Sequence, residues 1–311
     1  MNKGRCSLVD TFPDFLAYWA DSSFKRVDQQ VTLWQTSYLK KYPELLKKQV
    51  ENYEDANVNW REIARKTLQL VPQRLQLMQE ARKNILQICE PTYLKAIERL
   101  RIDFNVTFVV YVGIGCGAGW ATTYNKKPSV LLGLENIAEE KWHRKNKLQG
   151  LICHEIGHLA HMKWRQEWKT FEKAEKNPLF QLYSEGFAQR CEHVILGKET
   201  WHMKPSKEWL HWCEQHKSWL ASEFLRRLAR HASVRDFFGI WFSIQGKKQT
   251  GYFLGHAFIR NLEKTHDLKE IALFSSKKAN EMCSEYLKFI SKKTDRQNAR
   301  DQSKRTMNNK R

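Results

Sequence analysis

The chain has 311 residues, 41% of them hydrophobic, and its 53 Lys and Arg outnumber 34 Asp and Glu to give a net charge of +19. That length and apolar content can bury a substantial core, as one large domain or two lobes around a cleft, and no run approaches the ~18 apolar residues of a membrane span. Seven cysteines, an odd number without C-x-x-C spacing, argue against a disulfide framework and read as reduced thiols, so the cytoplasm is the expected compartment.

The opening Met1-Asn2-Lys3-Gly4-Arg5-Cys6 is basic, but Asp10 and Asp14 interrupt the next stretch, so it is not read as a signal peptide. Residues 1–103 read as a helical region. Trp60 to Leu68 and the stretch from Pro72 to Ile88 space their apolar residues by three and four, the helical period. Pro91 is expected to open a further helix, because proline is tolerated in a first turn. Phe104 to Val112 is β-branched and aromatic throughout and predicts a strand. The glycine-rich run Gly113-Ile114-Gly115-Cys116-Gly117-Ala118-Gly119 contains G-x-G-x-x-A. It fails as a dinucleotide loop, because Thr122 to Pro128 reads as a turn and not as a helix opening onto a pyrophosphate. Ser129 to Glu135 then reads as the returning strand of a hairpin.

Leu148 to Met162 carries apolar residues at 148, 151, 152, 159 and 162 and predicts a helix. Within it stands His154-Glu155-Ile156-Gly157-His158. Positions i and i+4 share a helix face, so both imidazoles can reach one ion, while Glu155 projects beside them, placed to take a proton from water. An apolar helix bearing these polar groups needs something to satisfy them, since burying them unpaired costs on the order of several kcal/mol. A single Zn²⁺ per chain does so. A catalytic zinc takes a third protein ligand and leaves a position open. The best candidate is Glu185, in Ser184-Glu185-Gly186-Phe187-Ala188, a carboxylate read as lying at the start of a buried helix. His161 is the rival, but at about 1.5 Å rise per residue it lies poorly placed to close on an ion between His154 and His158, and a supporting or surface role suits it better. Cys153 and Cys191 read as buried free thiols.

Trp201 to Leu228 is helical by pattern, with Trp209, Trp212 and Trp219 on related faces and read as core. In Gly251-Tyr252-Phe253-Leu254-Gly255-His256, Tyr252 and His256 stand four apart and share a face if the segment is helical, and the two glycines suggest close backbone approach. Residues 291–311 hold eight Lys or Arg against two Asp, almost nothing apolar, and read as a disordered basic tail.

His154-Glu155-x-x-His158 with Ser184-Glu185-Gly186-Phe187-Ala188 further along the chain, and Glu192 seven residues beyond Glu185, resembles the gluzincin metallopeptidases, which include thermolysin and the aminopeptidase N family. The layout over residues 104–260 is most similar to small bacterial proteins held to be zinc-dependent proteases. The resemblance implies a zincin-like catalytic domain that binds zinc through His154, His158 and Glu185 and hydrolyses peptide bonds with Glu155 as general base. It further implies that Tyr252 or His256 stabilises the oxyanion, and that an edge strand beside the metal helix binds extended substrate. Two departures stand out. The Gly-x-Met-Glu-Asn exopeptidase motif is missing, so aminopeptidase specificity does not carry over. Gln189 occupies the place where thermolysin has a histidine-orienting aspartate, and an amide accepts that bond without its charge.

The expected fold is therefore α+β and mostly helical. A helical region over 1–103 precedes a catalytic domain over 104–290, with a small antiparallel sheet next to the zinc-binding helix and a helical C-terminal lobe. The basic tail, 291–311, closes the chain. The expected partner is a peptide or protein substrate. The charge of +19 supplies the alternative, a basic nucleic-acid- or protein-binding module with a structural or vestigial zinc site, although no recognition motif accompanies it.

Overall fold

A computed structural model describes residues 4–204, 206–239 and 241–308, with residues 169 and 293–308 given by backbone alone. The fold is α+β and mostly helical. In chain order it runs β1 (Cys6–Asp10), α1 (Phe12–Ser22), α2 (Val27–Leu33), α3 (Pro43–Glu54), α4 (Trp60–Gln69), α5 (Val71–Leu100), β2 (Val106–Tyr111), β3 (Gly119–Tyr124), β4 (Lys127–Gly133) and α6 (Leu134–Glu139). The remainder is helical: α7 (Lys145–Arg165), α8 (Lys169–Glu175), α9 (Pro178–Leu196), α10 (Lys207–Gln215), α11 (Lys217–Ala229), α12 (Thr250–Leu262), α13 (Leu268–Ala272) and α14 (Ser276–Asn308). Among the described residues, no helix is long and apolar enough to cross a membrane.

By contacts the chain forms two compact units, one of residues 1–160 and 191–202, the other of 161–190 and 203–311. This division falls elsewhere than at residue 103. The first unit joins the N-terminal helices to the sheet, because β1 pairs in parallel with β2, Cys6 opposite Val106. The order across the sheet is β1-β2-β4-β3. β2 is buried along its whole length, as its unbroken Val-Thr-Phe-Val-Val-Tyr run requires of a central strand.

The sheet is mixed, not antiparallel throughout. The strand expected from Phe104 to Val112 and the one expected from Ser129 to Glu135 are parallel neighbours, Phe108 opposite Val130. The returning partner of β4 is β3, a strand the glycine pattern conceals. Asn125 and Lys126, with φ of 49° and 61°, make the two-residue turn between them. Positive φ at both central residues is what a tight hairpin needs. Pro128, read as part of a turn, lies in β4, and Leu134 and Glu135 belong to α6.

Three helical expectations also shift. Pro91 does not open a helix but sits inside the 30-residue α5. The hydrogen bond it forfeits is outweighed by burial on either side of it, at Ile88, Cys89, Thr92 and Tyr93. The Trp201–Leu228 stretch holds two helices, the first starting at Lys207 and the two parted at His216, and of the three tryptophans read as core only Trp209 is fully buried; Trp219 is exposed. The last helix, α14, carries the backbone into the basic tail, and residues 309–311 lie outside those described.

In the second unit α12 crosses α9 with almost no gap. A Cβ on Gly255 would run into the Leu182 carbonyl and the Gly186 Cα, and one on Gly251 into the Phe238 ring. Gly255 thus serves the close backbone approach expected of the pair, whereas Gly251 makes room for a side-chain ring. Gly255→Ala should lose about 1–3 kcal/mol of stability, the ordinary penalty of overpacking. Urea unfolding reads this, and a variant as stable as the parent would contradict the crossing.

Candidate metal centre

α7 presents the five-residue motif from a fully buried stretch: His154, Glu155 and His158 are all less than a tenth exposed. The helical period brings the two imidazoles together, with their Nε2 atoms 3.2 Å apart. Two nitrogens, each ~2.0–2.1 Å from one tetrahedral zinc, stand about 3.3 Å apart, so this spacing is the one a shared ion asks for. Glu155 points elsewhere. Its Oε2 accepts the Ala121 backbone N–H at 2.9 Å, and its side chain fills the space a Cβ on Gly119 would occupy. The general-base candidate is therefore seated against the edge strand β3, outside the ligand pair.

Ligand atoms of His154, His158 and Glu185 lie within 4.8 Å of one another, the set expected from the sequence. Glu185 is half-buried and occupies the middle of α9, not the start of a helix, since α9 begins at Pro178. Tyr252 and His256 are both on α12, one turn apart as expected. His256 is buried, and the half-buried Tyr252 packs its ring on Phe238 at 6.1 Å. His161 is not a surface residue. It is fully buried among Phe171, Phe180, Tyr183 and Phe187, with Nε2 3.2 Å from the Tyr183 hydroxyl. Cys153 and Cys191 are buried cysteines outside any disulfide, and burial pushes the Cys153 thiol well above its usual range.

A second group also lies within 4.8 Å: His154, Glu192 and His202. Glu192, two turns beyond Glu185 on α9, is wholly buried. Its Oε2 meets His202 Nδ1 at 2.7 Å, and its Oε1 accepts the His202 backbone N–H at 3.2 Å. The His202 ring stands edge-on to His154 at 5.1 Å and to Trp142 at 5.1 Å. Gly150, one turn before His154 on α7, leaves the room: a Cβ there would press on both Glu192 and His202. Burial alone would raise the Glu192 carboxyl, but the imidazoles of His202, His154 and His193 around it bring it below the ordinary value. Lys147 donates to the Trp201 and His202 carbonyls and fixes the segment that delivers His202. The pair lines a 240 Å³ cavity shared with Lys147, Gln149, Lys198 and Trp201.

Glu192 carries a sequence signal, its place seven residues after Glu185. His202 carries none, because it stands in an irregular segment after α9 and only the fold brings it back to α7.

Searches of protein-family models, of curated proteins and of solved structures find no match to this chain.

Proposed function

We propose that the chain is a zinc-dependent peptidase of the gluzincin kind, with His154, His158 and Glu185 as its metal ligands. The observation that carries this reading is the buried pair of imidazole nitrogens 3.2 Å apart, with the carboxylate of the intervening Glu155 accepting the Ala121 N–H. Two nitrogen donors and one carboxylate suit zinc and leave one position open. A zinc held there would supply Lewis acidity, polarising the scissile carbonyl and making water acidic near neutral pH.

The chain's own residues do the rest. Glu155 takes the proton of the attacking water and returns it to the leaving amine, the two-way transfer that a carboxylate beside the reacting atoms can serve. Tyr252 or His256 donates a hydrogen bond to the carbonyl oxygen as it gains charge, a contribution of about 3 kcal/mol when well placed. The glycine at 119 and the N–H of Ala121 keep Glu155 in one orientation through both transfers.

Zinc per chain, measured by elemental mass spectrometry after dialysis against a weak chelator, tests the reading. About one zinc is expected in the parent and far less in Glu185→Ala. Zinc absent from both would overturn the proposal and favour a basic binding module. Zinc retained in Glu185→Ala but lost in His202→Ala would move the ion to the second ligand group.

A further inference from the structure

The glycine-rich run from Gly113 to Gly119, whose sequence context excludes a nucleotide loop, offers no ligand to the metal centre, and the structure ties it down from one side. Glu135, on α6, is wholly buried and spends both carboxylate oxygens on it. Oε2 accepts the Gly113 N–H at 2.8 Å and Oε1 the Gly115 N–H at 3.1 Å. Next to it, Asn136 Oδ1 accepts the Gly117 N–H at 3.1 Å. The Gly133 N–H then holds the Ala118 carbonyl at 3.1 Å. At that point β3 begins, and its first residues are those that seat Glu155: Gly119 against the side chain and Ala121 through its N–H. A Cβ at 113 would press on Gln49, Glu135 and Tyr111 at once and displace the carboxylate that holds the loop.

We propose that Glu135 is a positioning residue, which through the Gly113–Gly119 loop fixes the edge strand against Glu155, and that this seating tightens as Glu135 loses its proton. A carboxylate accepts both N–H groups. A carboxylic acid turns one oxygen into a hydroxyl, a poorer acceptor opposite an N–H, and slackens one of the two bonds. The rate arm of the test rests on the peptidase reading; the structural arm does not.

The surroundings put this titration near neutrality. Burial pushes the Glu135 carboxyl up to about 7, against the Gly113, Glu135 and Gly115 backbone N–H groups and the Arg74 guanidinium, which pull it down. A loop opening that leaves Glu135 buried sheds the Gly113 and Gly115 N–H groups and so raises the carboxyl further, which makes the closed loop the form favoured as the proton leaves. Arg74, from α5, is itself paired with Glu139 of α6 at 3.1 Å. The other titratable groups facing Glu135 are Tyr53 of α3, Tyr111 of β2, Cys116 of the loop, and Tyr38. Burial drives all four upward, so they stay neutral across the range in which Glu135 changes. Gln49 is a neutral neighbour, accepting from Ile114 at 3.1 Å.

Amide hydrogen exchange of the zinc-free protein, corrected for intrinsic rates, tests the clamp without any substrate. Protection of residues 113–121 in the parent is expected to rise several-fold from pH 6 to pH 8, while α5 stays constant. In Glu135→Gln, whose amide presents a donor to one of the two N–H groups, the segment is expected to exchange about tenfold faster and without pH dependence. Protection that is equal at both pH values in the parent, or that falls toward pH 8 as an opening that solvates Glu135 would give, would overturn the proposal, and neither result needs a variant. On the peptidase arm, Glu135→Gln should bind zinc as the parent does but lose about tenfold in kcat, along with the step in rate around pH 7. Failure to detect any hydrolysis in the parent would count against the peptidase reading while leaving the exchange result to decide the clamp.

Discussion

Glu155→Gln is expected to abolish measurable peptide hydrolysis while leaving zinc content and stability unchanged. Gln keeps the shape of Glu and its amide oxygen can still accept the Ala121 N–H, so the seat against β3 survives. What it lacks is basicity. It cannot take the proton from water or return it to the amine, and general-base assistance contributes ~10²–10⁴-fold. At 1.36 kcal/mol per decade this is about 3–5 kcal/mol of barrier. Because Glu155 stands outside the ligand pair, zinc affinity should not track the rate. A variant that hydrolyses peptides at the parental rate would remove Glu155 from the mechanism. One that loses zinc along with activity would make it a ligand.

His202→Ala is expected to be the most destabilising single truncation around the centre, by about 3–5 kcal/mol, because it strands a buried carboxylate. Glu192 is completely inaccessible, and the truncation removes its 2.7 Å contact with the His202 ring while the His202 backbone N–H, at 3.2 Å, stays. The neighbouring 240 Å³ cavity gives water a way in, which favours the lower end of that range. The pH dependence has a definite sign. The Glu192 carboxyl is held below its unfolded value in the parent, so its contribution is present above the ordinary carboxylate range and fades as pH falls through the lowered value. The gap between parent and variant should therefore narrow in acid. Urea unfolding in the presence of chelator at pH 8 and pH 4 would show it, and Glu192→Gln in the His202→Ala background should recover part of the loss. A gap that widens in acid would mean that Glu192 is not the stranded charge.

The metal motif is legible because helical period alone brings i and i+4 together, whatever the rest of the chain does. The same period places Tyr252 and His256 on one face. Glu185 requires an argument about what an open zinc site lacks, and its place in mid-helix is there to be read in Asn177-Pro178, a side-chain cap that accepts from the Leu179 and Phe180 N–H groups followed by a first-turn proline. Sheet order is not legible. That β2 and β4 run parallel depends on where the glycine loop sends the chain, and β3, although its Trp120, Thr122, Thr123 and Tyr124 favour a strand, is masked by the glycine run before it and the turn residues after it. β1 escapes for a different reason: five residues with Leu8 exposed give too short an alternation to register. Pro91 shows local preference overruled by packing. His202 shows the general limit: it bonds Glu192 ten positions back, but its approach to His154, 48 positions back along the chain, is set entirely by tertiary structure.

The pairing of Cys6–Asp10 with Val106–Val110 bears on how the molecule comes to exist. β1 is synthesised a hundred residues ahead of the strand it must join, which at ~5–20 residues per second is a wait of about 5–20 s. During that interval Leu8 and Val9 have no sheet to enter, and closing the loop between the strands carries the entropy of the intervening chain. Helices α1 to α5 fill the wait: built from local contacts, they can form first and shorten the effective loop. The order of assembly is thus written into the topology, with the N-terminal helices as the scaffold on which the sheet closes and Glu155 receives its seat.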